Sequence, residues 1–469
     1  MRATGWLPAA ALAVALAGCA LKDPPQRAEL VPQALPNLKV PDRWVESGAV
    51  APGAAIGDAW LAGFHDAQLE SFVRETLSNN PDLQVAAARV EQAAGYVKSA
   101  GATLYPQVNL LARGGGALSG DSSGLEGAGV FANWELDLWG RVRAGRSSAN
   151  TQYISAALDA EYARQSLAAF AAKSWFLATE ARLQKAIAED MASSSSRQLE
   201  LAQDRLRVGS GSDNDVTLAR ASLAAYRDSA LNLEYAYRQS LRALEALAGR
   251  YPAAVLEVPA SIAAMPGPVP VGMPSELLER RPDVVAAERR VAAAFYRGEE
   301  AKAARLPRIS LTAAVTSISS ELFVLKDRDN PIWSAGASIT APLFLGGQLQ
   351  AQVEIRTAEQ KQAVADYGRI GARAFGEVES ALAAGFTLQE REAILREAVT
   401  ENARALEFAN QRYRVGVGDL RAVQQQSLAL SAARTALLRV QTERLVQRVN
   451  LHLALGGSFE AGGSIEGKP

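Results

Sequence analysis

The sequence predicts an α+β membrane protein built from two like repeats, with four short strands per chain that close only in a trimer, as a twelve-stranded β-barrel continued by long helices. Three observations lead there. Segments recur at fixed offsets, two stretches read as helix over an unusual length, and four segments of about ten residues alternate apolar and polar side chains.

The duplication comes first, because it organises the rest. "NNPDLQVAAARVEQA" from Asn79 is echoed by "RRPDVVAAERRVAAA" from Arg280, and "LYPQVNLLA" from Leu104 by "RLPRISLTA" from Arg305, each 201 positions on. "RLRVGSGSDNDV" from Arg205 and "RYRVGVGDLRAV" from Arg412 lie 207 apart. Constant offsets with one slip of six indicate two copies of a unit, one with a longer loop. Repeat 1 spans residues 60–249 and repeat 2 residues 275–457. Between them, residues 250–274 carry Pro252, Pro259, Pro266, Pro268, Pro270 and Pro274 and cannot be helical. Residues 458–469 form a tail.

Ahead of the repeats, Arg2, the apolar run from Trp6 to Ala17 and "LAGC" read as a signal peptide over residues 1–18. Twelve apolar residues span roughly 18 Å as helix, short of the ~30 Å hydrocarbon layer. LAGC resembles the bacterial lipoprotein box, so Cys19, the sole cysteine, is expected to be lipidated; Ala20 after it resembles outer-membrane sorting. Residues 19–59 then read as a proline-rich tether from the lipid.

Within each repeat the order is helix, two strands, long helix, turn, helix. A helix runs from Pro81 to near Tyr105, followed by strands in "PQVNLLAR" and "VFANWELDLW". From Arg146 to Val208 there are 63 residues without Gly or Pro, about 95 Å of helix. Ser212 to Ala248 returns. Repeat 2 gives Pro282 to Leu306, strands at about 307–317 and 332–342, a proline-free Gln348 to Val415, and Asp419 to Leu455. Since the two shorter helices together nearly match the long one, they are expected to stack end to end beside it.

The strands carry the membrane signal. Val130, Ala132, Trp134, Leu136 and Leu138 alternate with polar or aromatic neighbours, as do Ile309, Leu311, Ala313 and Val315. Ten residues is the length of a membrane-spanning strand. A half-buried sheet has the same period, but the flanking helices are too long to fold back as its cover. Four strands cannot close, and eight leave an interior filled by side chains, so the trimer is preferred. No run of 18 apolar residues occurs beyond this, so any crossing uses strands.

Other classes find little support. A formal net charge of −1 gives no field for nucleic acid. With two histidines, His65 and His452, no metal-ligand cluster and no phosphate-binding fingerprint, the chain is not read as an enzyme, and neither metal nor cofactor is implied. His452 lies in an apolar helical pattern and reads as packed; Ser193 to Ser196 read as a solvated helix face.

The turns hold the candidate site. Gly209, Gly211, Gly416 and Gly418 allow the positive φ that ends a helix, and Ser212 or Asp213 would cap the return. Asp213, Asp215 and Asp419 suit caps too, yet three-fold repetition would make rings of carboxylates that attract cations and oppose closure. Arg205, Arg207, Arg412 and Arg414 are available to pair with them. Arg141, Arg143 and Arg146 open a long helix against its dipole, and three explanations stand open: pairing with Glu135 and Asp137, lipid phosphates, or solvation.

"WELDLWGRVRA" from Trp134, "NNPDL", "RRPDV", "VGSGSDNDV" and "LALGG" from Leu453, in order from about Trp60 to Gly457, resemble the TolC-like outer-membrane factors, the NodT-type efflux lipoproteins above all. The resemblance implies a lipid-anchored homotrimer in a Gram-negative outer membrane, its helices forming a periplasmic tunnel fed by an adaptor and an inner-membrane pump of the RND type. A type I protein secretion channel is the alternative, and a periplasmic scaffold or adaptor lipoprotein a further one. It also implies that Asp215 and Tyr413 join neighbouring hairpins in a periplasmic gate with Asp213 and Asp419, and that Val208, Gly209, Gly211, Val415, Gly416 and Gly418 meet the adaptor. Many relatives place an aspartate where this chain has Gln425, which leaves Asp419 as a neighbouring substitute.

Overall fold

A computed structural model describes residues 22–47, 58–113, 126–319 and 332–459. The signal segment and Cys19 lie outside the described residues, as does the tail beyond residue 459. The chain divides into two compact units, one of Met1–Leu38, Ala87–Ala160 and Asp283–Gly371, the other of Lys39–Ala86, Glu161–Pro282 and Ala372–Pro469.

In chain order the elements are α1 (Arg27–Ala34), α2 (Ala67–Asn79), α3 (Pro81–Ala102), β1 (Gln107–Arg113), β2 (Glu126–Leu136), α4 (Arg141–Arg207), α5 (Asp213–Leu247), α6 (Leu277–Arg280), α7 (Pro282–Ala303), β3 (Arg308–Ser319), β4 (Ile332–Thr340), α8 (Gln348–Arg414) and α9 (Leu420–Ala454). The two halves match in length: α3 and α7 have 22 residues each, α4 and α8 67, α5 and α9 35. A 67-residue helix covers about 100 Å, and its Ala-, Leu- and Glu-rich composition favours that state throughout.

In the first unit the four strands form one antiparallel sheet in the order β1-β2-β3-β4. Register assigns the faces, because residues directly opposite point the same way. Leu110 faces Val130, Val130 faces Val315, and Val315 faces Trp333. Val108, Ala132, Ala313 and Ala335 make the next such row, and Ile309 faces both Leu136 and Ile339. One face is thus apolar across all four strands, while the other carries Gln107, Asn133, Thr312 and Gly336 in one row. Among the described residues no element covers the apolar face at the outer strands: Val108 is 66% exposed, Leu110 74%, Trp333 77% and Ile339 72%. No described helix is long and apolar enough to cross a membrane.

The strand-to-helix junction differs from expectation in an instructive way. β2 stops at Leu136 rather than Trp139, because Asp137 leaves the strand to cap α4, accepting from the amides of Val142 and Arg143 at 2.9 Å. With its first turn capped, α4 starts at Arg141 and runs through Gly145, where the Glu300 carboxylate sits 3.2 Å from the position a Cβ would take. Arg141 pairs with Glu135 at 2.8 Å and Arg143 with Asp137 at 3.2 Å, which decides two of the three arginines in favour of pairing; Arg146 lies beside Gly101.

The proline-rich segment is no loose tether where it is described. It contains α1, whose Leu30 is fully buried and whose Arg27 pairs with Glu288 at 2.8 Å. Further on, in the second unit, buried Trp44 donates its ring N–H to the carbonyl of Val271 at 3.0 Å.

The second unit has a core of Trp60, Phe64, Leu69 and Phe72 against Trp175 and Phe176 of α4, with Leu244 of α5 and Leu445 and Val449 of α9. Asp66 ties this together: one carboxylate oxygen accepts from the amides of Gln68 and Leu69, capping α2, and the other from the Trp175 ring at 3.0 Å. The short helices do meet end to end, and by equivalent contacts. Asn80, just before α3, donates to the carbonyl of Leu247 at the end of α5 at 3.1 Å, and Arg281, just before α7, donates to that of Ala454 at the end of α9 at 3.3 Å.

Candidate functional site

The two turns between long and returning helices are closed by the same backbone device. After α4, the amide of Gly209 donates to Leu206 (3.0 Å) and that of Ser210 to Arg205 (2.8 Å). After α8, Gly416 donates to Tyr413 (3.1 Å) and Val417 to Arg412 (3.1 Å). These are paired Schellman closures, and they need a left-handed residue, supplied by Gly209 at φ 73° and Gly416 at φ 85°. Gly211 and Gly418 are needed for a different reason, close approach: a Cβ on Gly211 would lie 2.8 Å from the amide nitrogen of Leu206, and one on Gly418 3.0 Å from the Cβ of Arg412.

The returning helices are capped by side chains. Ser212, not Asp213, caps α5, accepting from the Asp215 amide at 3.2 Å; Asp419 caps α9, accepting from Ala422 at 2.7 Å. Asp213 and Asp419 are exposed, and Asp215 is half-buried. Val208, Gly209, Val415 and Gly416 are exposed and Gly211 and Gly418 half-buried; Val417, which the sequence did not single out, is exposed beside them.

Behind the turns, Tyr413 is buried in a cluster with Ala202, Val216, Ala219, Leu420 and Val423. The guanidinium of Arg205 lies over its ring, 4.6 Å from the centroid, and donates both to the Tyr413 carbonyl and, at 3.1 Å, to that of Ser210. One arginine thus holds both turns. The Tyr413 hydroxyl is buried and makes no hydrogen bond, and the Nε of Arg205 is likewise buried and unpaired. Burial, and secondarily the charge of Asp215, push the Tyr413 hydroxyl above the usual phenol value, against the opposing charge of Arg205. The structure therefore gathers Asp215, Tyr413 and Arg205 at one place without a Tyr413–Asp215 hydrogen bond, and leaves Asp213 and Asp419 at the surface. Arg207 pairs with Asp204 at 2.8 Å. The signal for Arg205 was the repeated Arg-x-Arg-Val-Gly; its stacking partner lies 208 residues away, beyond any local pattern.

Two sequence expectations elsewhere resolve differently from each other. His452 is packed, stacked on Trp60 with ring centroids 5.7 Å apart. The serine run is not a uniformly solvated face, for Ser195 is buried while Ser193 is exposed and accepts from Arg197 at 2.9 Å. Helical period explains it: residues two apart in a helix point to different sides.

Comparison with known proteins follows the same architecture. The chain is 29% identical over 468 residues to the pyoverdine export outer membrane protein OpmQ of Pseudomonas putida, covering 96% of this chain and 97% of that one. It is 31% identical to the outer membrane protein OprJ of Pseudomonas aeruginosa, with 92% of each covered. The solved structure of the outer-membrane channel OprN superposes with a TM-score of 0.80 at 27% identity, over 91% of this chain and 99% of that one. The outer membrane efflux protein model matches twice, at residues 72–250 and 273–457, once for each run of helix, strand pair, long helix and return, and the chain belongs to that family.

Proposed function

We propose that this protein is the outer-membrane channel of a tripartite efflux system, receiving substrates from an inner-membrane pump and a periplasmic adaptor and passing them across the periplasm and outer membrane to the exterior. The observation that carries this is the apolar face running through all four strands, left uncovered at its outer strands by the described residues. Lipid is the cover that suits it, and the polar face then lines a lumen. Three copies would contribute twelve strands, enough to leave that lumen open where eight would fill it.

The remaining parts take their places around that channel. Cys19 carries the lipid in a Gram-negative outer membrane, and α1 and Trp44 dock the segment that follows. Exposed Val208, Val415 and Val417, with Gly209, Gly211, Gly416 and Gly418, offer apolar turns to an adaptor, the pump beyond it being of the RND type. Arg205, Tyr413 and Asp215 hold the turns in the resting state, while Asp213 and Asp419 add exposed carboxylates that favour cations. Relatives are named for pyoverdine export and for cation efflux, so this scaffold serves unlike cargo; selection belongs to the pump.

Inserting the purified full chain into planar bilayers tests the reading. Discrete conductance steps from a heat-sensitive oligomer are expected. A water-soluble monomer without conductance overturns it.

A further inference from the structure

The first unit holds a charged cavity that neither the strands nor the turns account for. Its walls come from α3, α4, α7 and α8, and it measures about 710 Å³. Arg89, Arg290, Arg297 and Arg369 line it. Three acids line it too, and each already has a cation: Asp159 pairs with Arg290, Asp366 with Arg369 at 3.2 Å and Glu359 with Arg356 at 2.8 Å. That leaves Arg89 and Arg297, which have no ion-pair or hydrogen-bond partner among the described residues.

Helix geometry puts the arginines of α7 on this side. Glu288 meets Arg27 of α1, and Arg290, two residues on, stands about 200° further round the helix. Arg297, seven residues from Arg290, shares its face. α1 therefore covers one side of α7 while the cavity opens on the other.

A second cavity, of about 560 Å³, shares Tyr96, Gln152 and Arg297 with the first and runs on towards the start of α4. It adds Arg146, again without a partner among the described residues, while its one acid, Glu300, lies within electrostatic reach of Arg141. The combined wall extends about 21 Å along α3, from Arg89 to Thr103. Tyr96 belongs to both cavities and is 60% exposed, and Ala93, Ala156 and Ala294 of the same wall leave room beside it.

We propose that this recess binds a small organic anion that joins a carboxylate or phosphate-like group to an aromatic ring, with Arg297 and Arg89 on the charge and Tyr96 against the ring. A guanidinium between protein walls gains more from an anion than one in open water, because the local dielectric is lower. Its planar fork accepts carboxylate or phosphate oxygens two at a time. The acids that line the first cavity with these arginines are already taken, so the anion must come from outside the cavity wall. The exposed ring then favours a ligand with a ring of its own over a bare inorganic ion. Binding here needs no pore, so the site goes beyond the channel reading and does not depend on it.

Equilibrium dialysis of the detergent-solubilised full chain, with empty micelles as the blank, tests the site with three probes: phenylphosphonate, inorganic phosphate and benzylammonium. Phenylphosphonate is expected to bind several-fold to about tenfold more tightly than phosphate, and benzylammonium not at all. Arg297→Gln should weaken phenylphosphonate roughly ten- to a hundredfold, and the more exposed Arg89→Gln less. Tyr96→Ala should erase the difference between the two anions. Lys302→Gln removes an equal charge from α7 outside both cavities and should change nothing. Thermal midpoints equal to wild type show that each variant is folded. Undiminished binding in Arg297→Gln, equal weakening by Lys302→Gln, or retention of neither anion by the wild-type chain overturns the site. Conductance in planar bilayers decides the channel reading separately from all of these.

Discussion

Arg205 stacks on Tyr413, 4.6 Å from the ring centroid, and donates to the carbonyls of Tyr413 and Ser210, so a single side chain fastens two turns 207 residues apart. A half-buried cation–π contact contributes about 1 kcal/mol and charged hydrogen bonds about 2 kcal/mol more. On the gate proposed above, Arg205→Ala is therefore expected to shift the closed–open equilibrium by about 2–3 kcal/mol, roughly thirty- to a hundred-and-fiftyfold in the open-to-closed ratio. Single-channel recording reads this directly. Arg205→Lys, which keeps the charge but loses the planar fork, should fall between; an Arg205→Ala pore that behaves as wild type removes the fastening role.

The two end-to-end helix joints should differ in how much they contribute. Asn80 offers a neutral hydrogen bond to Leu247, while Arg281 is fully buried, pairs with Glu377 at 2.6 Å and stands over Tyr162 at 5.8 Å. Glu377 is 40% exposed and also meets Arg373 at 3.4 Å, so removing Arg281 strands no buried charge; what is lost is charged hydrogen bonding, about 2–3 kcal/mol, against about 1 kcal/mol for a neutral hydrogen bond. Arg281→Ala should lower the thermal midpoint of the detergent-solubilised protein about two to three times as much as Asn80→Ala. Equal shifts would mean that Glu377 and Ala454 find water or other partners.

What the sequence reveals and what it hides divide along one line. Gly209 and Gly416, a cap at Ser212 or Asp213, and the great length of α4 and α8 are local facts, set by φ, caps and propensity, and could be read from the residues, although the choice of Ser212 and the start of α4 at Arg141 rather than Arg146 needed the structure. The end of β2 could not, because Asp137 fits the alternation of a strand and leaves it only when the amides of Val142 and Arg143 are free to bind. Nor could the helix in the proline-rich segment, since it depends on a place for Leu30 to be buried and on Glu288 to meet Arg27. At the candidate site the glycines, valines and acids were legible as types; which aspartate approaches Tyr413, and that Arg205 covers it, depends on how two distant hairpins pack.

The linker between repeats is anchored by one carboxylate. Glu245 is buried near the end of α5 and accepts from the amides of Ala254, Val255 and Leu256 at 2.6, 2.7 and 2.9 Å. Burial alone would raise its pKa, but the backbone donors outweigh it and hold the carboxyl below its usual range. Glu245→Ala strips three amides of their acceptor and is expected to cost about 2–4 kcal/mol. Hydrogen exchange at residues 253–258 should accelerate by orders of magnitude while exchange at the helical turns stays unchanged. Unaltered protection in the linker would show that its own backbone suffices.

Acid sensitivity should trace to His452. Burial first, and the charge of Arg448 second, lower its imidazole to about 4, from about 6.5 for a free side chain. The folded state holds the ring neutral against Trp60, so it binds fewer protons than the unfolded chain between those values. The resulting stability is complete above pH ~6.5 and is lost as pH falls towards 4, a change on the order of 3 kcal/mol. Thermal unfolding followed by tryptophan fluorescence should show the wild-type midpoint dropping across this window. His452→Gln forfeits the stacking and starts lower at neutral pH, but its midpoint should change far less with acidification. Parallel curves for the two proteins would place the sensitivity in other groups.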